Sequence, residues 1–313
     1  MAYYLGIDGG GSKTTCVVGT ELSLLAQAVA GPSNITRVGE VRARESLHQA
    51  IREACANAKI EPRQIERTCI GVAGAGRAEV ASVVRKILTE LIAGEIEVVG
   101  DMEIALDAAF GARPGVIVIA GTGSIAYGRN AQGASARAGG WGFAISDEGS
   151  AHWIGRSAVA SVMRALDQEK EMQAGTESVL LFRELKAVWR LRSLNEFVQT
   201  ANSNPDFAAL FPVIVAAADG GDSLGQRVLE RASAELSRLA GIVIRRLFTG
   251  QDASSLAVWL SMAGGVFQHS NRVRECFCAE VRKMYPQASL NPQVVEPVAG
   301  ALQMARQQKT RLK

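Results

Sequence analysis

Residues 8–15 read DGGGSKTT, which concentrates phosphate-handling groups in one turn. The bare backbone of Gly9, Gly10 and Gly11 can approach a polyanion and aim N–H groups at it. Ser12, Lys13, Thr14 and Thr15 add hydroxyls and a cation. The turn is not a Walker A loop, which needs Gly-Lys-Ser/Thr opening a helix; here Gly11 is followed by Ser12 and then by a strand-like TCVV. Asp8 separates it from a plain glycine hairpin, because a carboxylate at the lip of an anion site repels phosphate unless a cation such as Mg²⁺ stands between them. A second turn, AGTGSIAYG at residues 120–128, matches G-x-G-x-x-A formally. A dinucleotide fingerprint should open a helix, whereas residues 125–128 read as the return strand of a hairpin, so a second phosphate-binding turn around Thr122 and Gly123 fits better.

Residues 139–155, GGWGFAISDEGSAHWIG, mix flexible backbone, aromatic rings and two carboxylates ahead of a helix. Sugars are recognised by such mixtures, the aromatic plate meeting C–H faces and the carboxylate meeting hydroxyl pairs. Trp141 and Asp147 are the candidates. Glu148 reads more simply as a helix N-terminal charge and Trp153 as core. At residues 98–101 the run VVGD ends on Asp101 at a helix start, which by itself reads as an N-cap. Open α/β sheets nonetheless place ligands at the carboxyl ends of their strands, which makes Asp101 a site candidate. Asp107 reads as a solvated helix residue. Gly264 and Gly265, at the end of the apolar run 256–263, offer bare backbone against which adenine or ribose could press.

These turns need an α/β scaffold, and the periodicity supplies one. Residues 3–8, 15–19 and 24–30 read as strands. A helix over 40–58, a strand over 67–73, a helix over 78–91, a strand over 95–100 and a helix from Met102 follow. A turn signal at Ala112-Arg113-Pro114-Gly115 interrupts the chain, and the opening pattern recurs beyond it: IDGGGS at residues 7–12 becomes IAGTGS at 119–124, an offset of 119 − 7 = 112. The expected domains are therefore 1–113 and 114–296, with a C-terminal helix over 297–313 returning to the first. Helices are expected over 148–166, 177–190, 206–218, 223–249 and 298–308, and a strand over 256–263.

The 313 residues suffice for two domains, and 48% hydrophobic with 21% charged residues is ordinary for a globular protein. A net charge of +3 is too small to announce a nucleic-acid partner. No basic-then-apolar leader opens the sequence and no run of eighteen apolar residues follows, so a cytoplasmic protein without a membrane anchor is expected. Five cysteines at scattered positions argue against a disulfide framework, and Cys276-x-Cys278 reads as reduced thiols on a helix.

Taken together, DGGGSKTT, the Gly121–Ser124 turn, DEGSAHWIG at 147–155 and AGGV at 263–266 resemble the N-acetylglucosamine kinase-like group of the BadF/BadG/BcrA/BcrD-type ATPases, in the actin-like ATPase and sugar kinase superfamily. The resemblance spans nearly the whole chain. It implies an α/β, two-lobed, ribonuclease H-like fold with duplicated lobes around a nucleotide cleft, with ATP and Mg as cofactors and phosphoryl transfer to an amino sugar. Asp101 matches the group's catalytic base. Asn34, Thr122, Gly123, Trp141 and Asp147 look like its sugar-binding positions, and Asp8, Gly9, Gly10, Gly11, Ser12, Lys13, Thr14, Thr122, Gly123, Gly264 and Gly265 its nucleotide-binding ones, with Asp8 nearest the metal. A homodimer is the expected assembly. Around Gly74-Ala75-Gly76 the hexosamine kinases carry a serine, whereas this chain has only small residues. The rival reading is an ATPase activating a radical enzyme through an iron–sulfur cluster, which needs paired cysteines at a subunit interface.

Overall fold

A computed structural model describes residues 1–169, 177–203, 205–248 and 257–307. The first strands are β1 (Tyr3–Gly9), β2 (Thr14–Gly19) and β3 (Leu24–Ala30), followed by α1 (Ile35–Asn57), β4 (Ile65–Val72), α2 (Ala78–Thr89), β5 (Glu95–Gly100) and α3 (Asp101–Phe110). They form a sheet in the order β3-β2-β1-β4-β5. β1 pairs antiparallel with β2, Gly9 opposite Thr14, so residues 10–13 make the tip of a hairpin. β1, β4 and β5 run parallel with Gly9, Val72 and Gly100 in line, so their carboxyl ends finish flush.

Side chains alternate across this sheet. Leu5, Ile7 and Ile70 face a core shared with Leu47 and Ile51 of α1 and with Val84 and Ile87 of α2. Tyr4, Val17 and Cys69 face the other way, toward Ile104 of α3 and a C-terminal helix (Pro297–Arg306). Each fully buried Leu or Ile contributes about 1.5–3 kcal/mol relative to exposure. Two glycines seat the C-terminal helix: a Cβ on Gly6 would lie 2.4 Å from the Leu302 nitrogen, and one on Gly300 would lie 2.0 Å from the Ile104 carbonyl oxygen.

The second sheet contains β6 (Gly115–Ala120), β7 (Ser124–Arg129) and β8 (Ser135–Gly139), then, beyond the helices, β9 (Trp259–Ala263) and β10 (Ser289–Val295), in the order β10-β9-β6-β7-β8. Written backwards this is the first sheet's order, with β6, β7, β8, β9 and β10 in the places of β1, β2, β3, β4 and β5. The sequence repeat at an offset of about 112 thus corresponds to a repeated topology. The helices here are α4 (Ala151–Glu169), α5 (Glu177–Val188), α6 (Leu194–Asn202), α7 (Phe211–Asp219), α8 (Ser223–Leu247), α9 (Gly265–His269) and α10 (Asn271–Met284). The chain divides into two compact units, Met1–Ile117 with Val295–Lys313, and Val118–Val294.

Several expectations need correction. The helix expected from residue 40 begins at Ile35, because Asn34 caps it, and it breaks at Gly39, whose φ of 78° is left-handed. Asp101 is not an N-cap: Gly100 holds that place, and the Glu103 carboxylate accepts from its N–H at 3.0 Å. The helix expected from Glu148 starts three residues later, at Ala151, so Glu148 lies in the preceding turn. The run 206–218 is split between a 3₁₀ turn (Phe207–Leu210) and α7, Pro212 standing in the first turn of the new helix. Asp107 is partly buried rather than solvated. β8, β10 and α6 had no sequence counterpart. The readings for Thr249, Leu256 and residues 308–313 lie outside the described residues.

Candidate active site

The first unit gathers its chemistry at the carboxyl ends of the parallel strands. Asp8 is the penultimate residue of β1, and Asp101 follows β5 as the first residue of α3. Next to Asp8, the hairpin 10–13 that joins β1 to β2 is built tightly. The Gly10 N–H donates to the Lys13 carbonyl at 3.0 Å, and the Gly10 carbonyl accepts from the N–H groups of Ser33 and Asn34, both at 3.2 Å. A Cβ on Gly10 would lie 2.9 Å from the Lys13 oxygen, and one on Gly9 would lie 2.7 Å from Val72 Cγ1, so bare backbone is a steric requirement at both. Thr14 is fully buried, with its hydroxyl oxygen 2.7 Å from both the Gly31 carbonyl and Ser33 Oγ. Ser12 and Lys13 are exposed at the tip. Gly10 is thus the brace of the turn, and the N–H groups beyond it are the ones a phosphate can reach.

Asn34 is tethered to the hairpin through the same Gly10 carbonyl. Its Oδ1 accepts from the Thr36 N–H at 3.1 Å and from the Thr36 hydroxyl at 2.7 Å, so the side-chain amide N–H groups are what remain for a ligand.

The two carboxylates are electrostatically linked. Burial first, and then the neighbouring Asp101 charge, push the Asp8 carboxyl up to about 7; Glu296 adds to the rise and Lys13 opposes it. Burial also raises Asp101, against the N–H groups of Met102 and of Asp101 itself, Met102 donating to Oδ1 at 3.0 Å. Glu296, at the N-cap of the C-terminal helix, was not singled out from sequence. Its one signal was a lone acid before Pro297, which is the ordinary look of a helix start.

A pH dependence of stability follows. An unfolded Asp titrates near 3.9, so between about pH 4 and pH 7 the folded, ligand-free protein binds more protons at Asp8 than the unfolded chain does. Stability therefore falls as pH rises through that window and levels off above about 7, the reverse of a salt-bridged carboxylate. Melting temperatures across pH 4.5–8 should show this decline, and Asp8→Asn, which cannot ionise, should flatten it. Equal slopes in the two proteins would contradict the assignment.

The second unit carries the matching turn. Residues 121–123 join β6 to β7, with the Gly121 N–H donating to the Gly123 carbonyl at 2.9 Å. The DEGS segment packs directly on it: Ala151 N–H donates to the Gly121 carbonyl at 2.8 Å, and Ser124 Oγ donates to the Glu148 carbonyl at 2.7 Å. Asp147 is 7% exposed and sits at a φ of 68°, left-handed for a residue with a side chain. A Cβ on Gly123 would come within 2.7 Å of its carboxylate. Thr122 and Gly123 are partly buried beside it. Gly264, at a φ of 95°, presses on the same turn, since a Cβ there would lie 2.5 Å from the Ala120 carbonyl oxygen; Gly265 opens α9 beside it.

Trp141 stands on a loop with left-handed glycines at 139, 140 and 142, is 64% exposed, and is backed by the Arg137 guanidinium 4.2 Å from its ring centroid. Trp153 is buried core, as expected. Cys276 and Cys278 are free thiols two residues apart on α10, a spacing whose side chains do not face each other. Among the described residues no single helix is long and apolar enough to cross a membrane.

Comparison with known proteins gives the family. The model of the BadF/BadG/BcrA/BcrD ATPase family matches residues 5–305. The chain is 34% identical over 308 residues to the N-acetylmuramic acid/N-acetylglucosamine kinase of Clostridium acetobutylicum, covering 98% of this chain and 99% of that one. It is 28% identical to the N-acetyl-D-glucosamine kinase of Dictyostelium discoideum, over 96% and 97% of the two chains. A Chromobacterium violaceum structure, provisionally named an N-acetylglucosamine kinase, superposes with a TM-score of 0.71 at 24% identity over 98% and 99% of the chains, and it shares the fold.

Proposed function

The chain belongs to the BadF/BadG/BcrA/BcrD ATPase family and is an ATP-dependent phosphotransferase with an alcohol acceptor, and from that premise we propose that it transfers the γ-phosphate of Mg-ATP to the C6 hydroxyl of an amino sugar of the N-acetylglucosamine or glucosamine type. The observation that carries this reading is Asp101, a partly buried carboxylate at the carboxyl end of a parallel strand, one strand removed from the Asp8 hairpin. Phosphoryl transfer asks a protein mainly for positioning and charge neutralisation. The N–H groups at the hairpin tip and the Lys13 ammonium would hold phosphate oxygens. Taken by itself, the second unit offers the turn at Thr122 and Gly123 as its candidate for phosphate, and Gly264 and Gly265 as its candidates for adenosine. Asp101 would orient the acceptor hydroxyl and take its proton on a carboxylate oxygen.

The metal fits the residues present. A buried carboxyl pushed up to about 7 beside a second acid is a hard oxygen donor whose ionised form is stabilised by a cation. When bound, Mg²⁺ supplies neutralisation across the phosphate oxygens. Magnesium commonly keeps several waters and takes only one or two carboxylates, which suits Asp8 as its protein anchor. The candidates for the sugar are Asn34 in the first unit and, in the second, Trp141 and Asp147, the indole suited to a C–H face and the carboxylate to a hydroxyl pair.

A coupled ADP-release assay over a panel of amino sugars, neutral hexoses and water tests the reading. Release stimulated by an amino sugar, with phosphate on C6 by NMR, is the expected result. ATP turnover that no sugar stimulates would sink it.

A further inference from the structure

Trp141 is a large exposed ring on a loop whose own backbone does little to fix it. The chain leaves β8 through two successive left-handed glycines, Gly139 and Gly140, and a third, Gly142, follows the tryptophan. Up to Gly140 the backbone is pinned. A Cβ on Gly139 would lie 3.1 Å from Leu239 Cδ1 and one on Gly140 2.7 Å from Ile125 Cδ1, and the Gly140 N–H donates to the Ser124 carbonyl at 2.9 Å. At Gly142 a Cβ would meet open space. Past it, Phe143 is anchored on the buried His152 of α4, with ring centroids 4.9 Å apart. The indole stands between these two anchors, and Arg137 lies against it.

Arg137 is four residues earlier, on β8, opposite Tyr127 of β7. Its guanidinium carbon is 4.2 Å from the Trp141 ring centroid, and its Nη1 donates to the Gly139 carbonyl at 3.0 Å and to the Gly140 carbonyl at 3.5 Å. The Arg137 carbonyl accepts from Arg246 Nη1 of α8 at 2.6 Å, which fixes the strand from which the side chain projects. No ion pair among the described residues includes Arg137. One planar cation thus ties the glycine turn by its N–H edge and the indole by its face, a combination open to a guanidinium and not to a compact ammonium. It covers one face of the ring and leaves the other for a ligand.

We propose that Arg137 is a positioning residue for the acceptor, a role that rests on the reading of Trp141 as the aromatic plate for the sugar. It touches neither sugar nor phosphate and acts by holding the indole in its binding orientation. A plate that is in place only part of the time weakens apparent affinity by that fraction, so an indole correctly placed about one time in ten raises KM about tenfold. Saturating sugar restores the placement, and kcat stays. In Arg137→Met the KM for N-acetylglucosamine should therefore rise about five- to twentyfold, with kcat, the KM for ATP and the melting temperature nearly unchanged. Arg137→Lys, which can place a cation over the ring or bond the turn but not both, should fall between. In a Trp141→Ala background the Arg137→Met change should add less than about twofold, because the group it positions is gone. The Trp141 indole N–H, assigned by its loss in Trp141→Phe, should fall in ligand-free Arg137→Met from a rigid order parameter of about 0.85 to below about 0.6. An indole that stays equally ordered would overturn the proposal. So would a full additional loss in the Trp141→Ala background, which would put Arg137 on the sugar itself or in the fold. A loosened indole with unchanged sugar kinetics would overturn it as well, by taking Trp141 out of the acceptor site. If no sugar stimulates the wild type, the kinase assignment has failed and the proposal falls with it.

Discussion

Asp101→Asn should fold normally and turn over roughly a hundred to ten thousand times more slowly than the wild type, the usual contribution of a positioned general base. Its surroundings make this a clean experiment. Asp101 is the first helical residue, and Gly100, braced by Glu103, holds the cap, so the start of α3 does not rest on the Asp101 charge. Its Oδ1 accepts from the Met102 N–H, a hydrogen bond that the asparagine carbonyl oxygen can accept equally. Burial raises the Asp101 carboxyl already, so removing the charge should stabilise the fold slightly if it does anything. The same change takes a negative neighbour from Asp8, whose titration should move down from about 7 while staying raised by burial. A coupled ADP assay at saturating ATP and sugar reports kcat, calorimetry reports ATP affinity, and a melt reports the fold. A stable Asn variant with full turnover would exclude Asp101 as the base, and Asp147 would become the first alternative.

How much of this site the sequence reveals depends on whether a residue's task is written in its neighbours. Glycine hairpins are legible, because three glycines followed by SKTT have few uses other than bringing backbone to an anion, and the repeat at 119–124 marked the second unit. Strands with apolar runs, such as β1, β5 and β9, are legible for the same local reason. β8 and β10 are not: SARAG is built of small residues with weak strand preference, and SLNPQVV contains Pro292, a residue that sheets tolerate at edges. Both are edge strands, so most of what makes them strands is the partner beside them. Glu296 is a distant case, joining the Asp8 environment only because the last helix packs back against β1 and α3, nearly three hundred residues along. Asp147 was visible as a carboxylate, but its backbone conformation was not.

That conformation shapes the second large effect, a loss of sugar use in Asp147 variants with ATP binding intact. At a φ of 68° most side chains cost about 1–2 kcal/mol, whereas Asn, Asp and Gly enter the left-handed region more readily. Asp147→Asn should therefore keep the turn, its 3.1 Å acceptance from the Ser150 N–H and the packing on Gly123, while removing the charge. A charge-assisted hydrogen bond to a sugar hydroxyl contributes about 1.5–3 kcal/mol, so kcat/KM for the sugar should fall about ten- to a hundredfold. Asp147→Gly keeps the backbone and deletes the whole contact, so it should lose at least as much and melt no lower than Asp147→Ala, which suffers the strain as well. Gly123→Ala approaches the same carboxylate from the other side: its Cβ would stand 2.7 Å from Asp147 Oδ2, and something must shift. The outcome expected is a shared pattern, in which the Asn, Gly and Gly123→Ala proteins raise the KM for sugar while calorimetric ATP affinity stays within about twofold for the two Asp147 variants. Normal sugar kinetics in Asp147→Asn, with the melt unchanged, would reduce Asp147 to a strained turn residue and leave the acceptor carboxylate to be sought in the first unit, at Asp101 itself.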